Sequence, residues 1–173
     1  EKNKEEILKA VKEASEKGAR LIVCPELCVT GYTCGDLFLQ KSLQKAALKA
    51  LEDLAEETSS LNSLFFVGLP VSQNGGLYNC AAVLFKGEVL ALIPKSYMPN
   101  YSEFYERRQF TPFRGDTRVV DLSPALKNIP MGTNILISDE DNPEFTVASE
   151  ICEDLWVPLP PSVNHTLAGA TII

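Results

Sequence analysis

Three short apolar runs in this chain each lead to a side chain with chemistry to offer. Residues 19–24 stop at Pro25-Glu26, residues 89–93 stop at Pro94-Lys95, and residues 145–148 lead through Ser149-Glu150-Ile151 to Cys152. Apolar runs this brief, the first two of them closed off by proline, read as buried strands. Strands of one sheet that end on the same side carry residues distant in sequence to a common edge. The pattern therefore predicts a sheet whose edge gathers a carboxylate, an ammonium and a thiol.

The remaining pattern fills in around that sheet. Ile7, Leu8, Val11 and Ala14 recur at helical spacing over 4–17, with Gly18 as a stop. A loop over 27–35 delivers a long helix from about 36 to 58, with Asp36 as its N-cap. Residues 64–69 read as a strand, and Asn74-Gly75-Gly76 as a turn. Segments 78–85 and 88–93 flank Lys86-Gly87 as a two-residue hairpin. Residues 94–114 form an aromatic and charged stretch too long to be a simple connector. Strands follow near 118–122, 134–138 and 145–149, then a short helix over 160–167 and a last apolar run, 170–173, that reads as a buried strand. The class is α/β with a substantial antiparallel component.

Size and charge narrow the function. A chain of 173 residues supports one ordinary core, and its net charge of −7 argues against nucleic acid. No apolar run approaches the roughly 20 residues that span a bilayer. Five cysteines, odd in number and set in apolar surroundings, do not suit a secreted disulfide scaffold, and a reducing cytoplasm is the expected location. A charged helical pattern at residue 1 and an apolar run at residue 173 read as a domain cut at both ends.

Cys152 needs a partner, because the thiolate is the nucleophile and a free thiol is mostly protonated at neutral pH. The one histidine, His165, lies beyond a proline-rich turn in a polar stretch and reads as a surface helix residue. Glu26 is the better base, since a carboxylate at a buried strand end is partly desolvated. Lys95 could steady a developing oxyanion. The spacing of Cys24, Cys28 and Cys34 fits neither zinc nor iron–sulfur sites, and Cys80 reads as core.

A glutamate, a lysine and a cysteine in that order, each at a strand end, resemble the triad of the nitrilase, or carbon–nitrogen hydrolase, superfamily. Residues 24–38, 95–110 and 150–158 are further similar to the base, lysine and nucleophile motifs of the glutaminase domains of glutamine-dependent NAD synthetases. The resemblance implies a four-layer α-β-β-α sandwich, here partial, with residues 1–173 forming a single incomplete glutaminase domain and no synthetase domain. It implies that Glu26, Lys95 and Cys152 are catalytic, that Glu103 is a supporting second glutamate, and that Tyr101 and Glu153 line the glutamine site. The Glu153 N–H is expected to serve the oxyanion. No cofactor is expected in this domain. ATP, magnesium and deamido-NAD belong to a synthetase domain of the same chain, and a homo-oligomer is implied. A stand-alone amidase with another substrate and a non-catalytic domain of the same fold are the competing readings.

Overall fold

The computed structural model describes residues 1–173. Six strands form the main sheet: β1 (Leu21–Val23), β2 (Leu64–Gln73), β3 (Gly76–Phe85), β4 (Glu88–Pro94), β5 (Arg118–Val120) and β6 (Ile129–Met131), in the order β1-β2-β3-β4-β6-β5. The β1–β2 and β4–β6 pairs are parallel, and the other three are antiparallel. Two two-residue turns set the register of the central hairpins. Asn74-Gly75 and Lys86-Gly87 all have positive φ, which matches the twist of the strands they join.

Alternation along β2 divides the core. Phe65, Val67, Leu69 and Val71 face α1 (Lys2–Glu16) and α2 (Lys41–Glu57), where they meet Val11, Leu51 and Leu54. Leu64 and Phe66 face the other way, toward Val83, Ala91, Ile93 and Val147. Val147 belongs to a small second sheet of β7 (Ile137–Ser138) and β8 (Thr146–Val147). Each fully buried aliphatic or aromatic side chain contributes about 1.5–3 kcal/mol, so a sheet apolar on both faces commits the chain to stacked layers. These are the helix, sheet and sheet layers of the expected sandwich.

Several expected elements take a different form. The first strand is an edge strand: it pairs only with β2, and Val23 is 71% exposed. The long helix begins at Lys41, because a 3₁₀ stretch, Tyr32–Leu39, interrupted at Gly35 (φ 55°), precedes it. Asp36 therefore caps nothing and instead accepts two hydrogen bonds of 2.6 Å from Arg108. Strand β6 was not evident in the sequence, since Pro130 interrupts its apolar pattern. The last apolar run makes only a single bridge, Ile172 to Val147, in place of a strand. His165, expected at the surface, is buried within α4 (Pro161–Leu167), where a ring nitrogen lies 2.7 Å from the Thr133 carbonyl oxygen. No helix is long and apolar enough to cross a membrane.

Candidate active site

Glu26 is placed by a main-chain crossing. The segment 25–27 passes directly over β2 at Gly68, where a Cβ would lie 2.2 Å from the Leu27 nitrogen and 2.9 Å from the Glu26 carbonyl carbon. Only glycine leaves room for that approach. The Val29 N–H then donates to the Gly68 carbonyl at 3.0 Å, fastening the crossing.

Lys95 follows directly after β4 and is fully buried. Its main-chain N–H donates to the Asn79 carbonyl at 2.8 Å, which carries the β3–β4 pairing one residue further. The ammonium donates to Glu26 Oε1 at 2.7 Å and to both oxygens of Glu106 at 2.8 and 2.9 Å. Burial pulls the lysine pKa down, but the two carboxylates outweigh it and hold the group above its ordinary value. Lys95 is a permanent ammonium at neutral pH.

Asn79, buried in β3, donates from Nδ2 to the same Oε1 of Glu26 at 2.6 Å. Both hydrogen bonds that Glu26 receives thus fall on Oε1, and Oε2 is left uncommitted. That oxygen has lone pairs free to take a proton.

The second glutamate touching Lys95 is Glu106, not Glu103. Glu103 is exposed, whereas Glu106 opens the short helix α3 (Glu106–Gln109) and is 5% exposed. Glu103 lies in the turn before that helix and faces solvent, whereas Glu106 is the first helical residue and is turned inward. The Tyr32 hydroxyl donates to Glu106 Oε1 at 2.7 Å, so Glu106 is held from both sides. Burial, then Glu106, pushes the Tyr32 hydroxyl pKa well up, and it remains a donor.

Cys152 opens a 3₁₀ turn, Cys152–Trp156, with φ 48°. A non-glycine residue in this left-handed region stores about 1–2 kcal/mol. Cys152 and Glu26 line one cavity of about 170 Å³, together with Asn79 and Ile151. The residue as a whole is exposed, yet the thiol at the cavity wall is desolvated. That desolvation pushes its pKa up, and Glu26 and Glu106 add to it; Lys95 and the Glu153 N–H pull the other way without prevailing. The resting group is a thiol. A raised pKa leaves less thiolate at neutral pH than free cysteine has, so carboxamidomethylation of Cys152 by iodoacetamide should be slow at pH 7. The rate should still be climbing above the ordinary cysteine value of about 8.5. A plateau below that value, read by mass spectrometry across pH, would contradict this electrostatic balance.

The two residues expected to line a substrate pocket meet each other: the Tyr101 hydroxyl donates to Glu153 Oε2 at 2.8 Å. Tyr101 also stacks edge-on against Phe104, with ring centroids 5.8 Å apart. Asn79, Tyr32 and Glu106 were the members of the site that sequence reasoning missed. A lone polar residue between Leu77 and Cys80 in a buried strand was the signal available for Asn79.

Across its whole length, residues 1–173, the chain matches the model of the carbon-nitrogen hydrolase family. It belongs to that family. It is 41% identical over 171 residues to a glutamine-dependent NAD(+) synthetase of Mycobacterium bovis, covering 99% of this chain and 25% of the relative. A glutamine-dependent NAD(+) synthetase from Cytophaga hutchinsonii superposes with TM-score 0.83 at 30% identity, covering 98% of this chain and 27% of that one. An amidase of the nitrilase superfamily from Nesterenkonia sp. AN1 superposes with TM-score 0.54 at 27% identity, covering 69% and 45%. The carbon-nitrogen hydrolase fold thus accounts for the layered sheet, while the chain spans about a quarter of the synthetases it resembles.

Proposed function

We propose that this domain hydrolyses the side-chain amide of glutamine through Glu26, Lys95 and Cys152. The observation that carries the reading is the fully buried Lys95 ammonium bridging Glu26 and Glu106 beside a cavity that Glu26 shares with Cys152. Glu26 takes the Cys152 proton on Oε2 as the sulfur attacks the amide carbon, forming a C–S bond. Lys95 and the Glu153 N–H receive the oxyanion. The C–N bond then breaks, Glu26 returns its proton to the departing nitrogen, and ammonia leaves a glutamyl thioester. Water, deprotonated by Glu26, attacks that thioester and releases glutamate and the thiol. A raised thiol pKa suits this sequence, because the proton moves only when the electrophile is in place.

Tyr101 and Glu153, joined to each other directly beside Cys152, would bind the glutamine amino-acid end. Glu106 takes the supporting role first expected of Glu103: with Tyr32 behind it, it fixes the ammonium. The likeness to the synthetases supports ammonia as the useful product, consumed by a synthetase domain of the same chain to convert deamido-NAD to NAD. The ATP, magnesium and deamido-NAD of that reaction are assigned to the synthetase domain, and the one buried ammonium of this site, already engaged by two carboxylates, is not offered to a phosphate.

The test is ammonia release from glutamine by the full-length protein. Cys152→Ala should lower it by at least about a thousandfold, as loss of a nucleophile does. Unchanged ammonia release in that variant would remove the assignment.

A further inference from the structure

We infer that Asp154 is a positioning residue for this reaction, a buried carboxylate that locks the nucleophile turn to the strand end bearing the lysine. The inference rests on the reading of Cys152 as the nucleophile.

Asp154 lies two residues beyond Cys152 and is 2% exposed. Its Oδ1 accepts from the main-chain N–H groups of Ser96 at 3.0 Å and Tyr97 at 2.8 Å, the two residues directly after Lys95. Its Oδ2 accepts from the N–H of Ile151 at 3.1 Å, the residue directly before Cys152. Its own N–H closes the turn onto the Ile151 carbonyl at 3.0 Å. No main-chain hydrogen bond joins residues 95–97 to 151–153, so this one side chain carries the connection between the two. Hydrogen bonds to a carboxylate are about twice as strong as neutral ones, and three converge here.

Two further observations favour a role in geometry over simple turn closure. Cys152 sits at a strained φ of 48°, and such a conformation persists only where its surroundings over-determine it. A grip on the preceding N–H supplies that constraint. Asp154 is also an expensive residue to bury: desolvation lifts its carboxyl to about 6 against the pull of the three N–H groups and of Lys95. A neutral residue would close the turn with less desolvation. The charge makes sense as a clamp on N–H groups that flank both reacting side chains.

Without the clamp, the turn can relax and move the Cys152 sulfur and the Glu153 N–H relative to the Lys95 ammonium. Misplacement by about 1 Å costs on the order of a hundredfold in rate. In the full-length protein, Asp154→Asn keeps the shape but turns one oxygen into a donor facing an N–H. It should lower glutamine turnover about a hundredfold and displace the pH profile of Cys152 alkylation by iodoacetamide, with far-ultraviolet circular dichroism unchanged. Asp154→Glu, which keeps the charge, should recover part of both. A folded Asp154→Asn protein with the wild-type alkylation profile overturns the inference. So does failure of both variants to fold, which would make Asp154 a scaffold residue only. Alkylation does not involve glutamine, so the two readings separate. Glutaminase activity surviving in Cys152→Ala removes the functional reading alone, and lost turnover with an unmoved alkylation profile in Asp154→Asn removes the positioning role alone.

Discussion

Lys95→Met should lose at least about a thousandfold in ammonia release and about 3–5 kcal/mol in stability, both measured at pH 7 on the full-length protein. The stability loss follows from what the lysine leaves behind. Glu26 and Glu106, whose side chains are 18% and 5% exposed, would then share a desolvated space with no cation between them. Removing one partner of a buried ion cluster is far costlier than the net worth of the cluster, because the remaining charges cannot return to water. The deficit comes from two like charges stranded in one desolvated space, so neutralising either of them should relieve it. Glu106→Gln in the Lys95→Met background should restore part of the stability at pH 7 but none of the activity. A Lys95→Met protein as stable as the parent by denaturant titration would contradict the buried bridge.

Glu26→Gln separates two effects that a simple loss of function would hide. Turnover should fall by roughly a hundredfold to ten-thousandfold, the range general bases supply. Stability should change little, since the glutamine oxygen can still accept from Lys95 and Asn79. Cys152 alkylation should instead become faster near neutral pH. The Glu26 charge is one of the groups holding the thiol pKa up, and its removal leaves the Lys95 ammonium less opposed. Slower turnover together with a more reactive cysteine is the signature of a base that both suppresses the thiolate at rest and generates it on demand. Loss of turnover with alkylation slowed or unchanged would argue that Glu26 holds the cavity together without acting on the thiol.

The strand-end pattern made Glu26 and Lys95 legible because a short apolar run closed by proline has few alternatives to a strand, and Cys152 stood out as the thiol just beyond a third short apolar run. The same logic failed where direction depends on a local turn. Glu103 and Glu106 both lie in a charged aromatic stretch with no apolar period, and only the short helix α3 decides which of them faces inward. Asp36 looked like a helix cap because a long helix plainly follows. The interruption at Gly35 hands its carboxylate to Arg108 instead, tying the loop that carries Tyr32 to the helix that carries Glu106. His165 read as a surface residue from its polar neighbours, and burial against Thr133 was set by a contact 32 positions away. Asn79 could have been suspected from polarity inside a buried strand, but its partner could not. Partners of buried polar groups are tertiary facts.

The crossing at Gly68 bears on how the cavity could be altered. Where two stretches of main chain touch without an intervening side chain, their separation is set by the thickness of the backbone itself. The cavity walls beside it are side chains from several elements, among them Phe66, Ala81 and Ile151. The location of Glu26 is thereby uncoupled from the shape of the space it serves. Walls could be enlarged or refilled while Glu26 stayed at its fixed height above the sheet, so under the proposed mechanism recognition and proton transfer are separately adjustable.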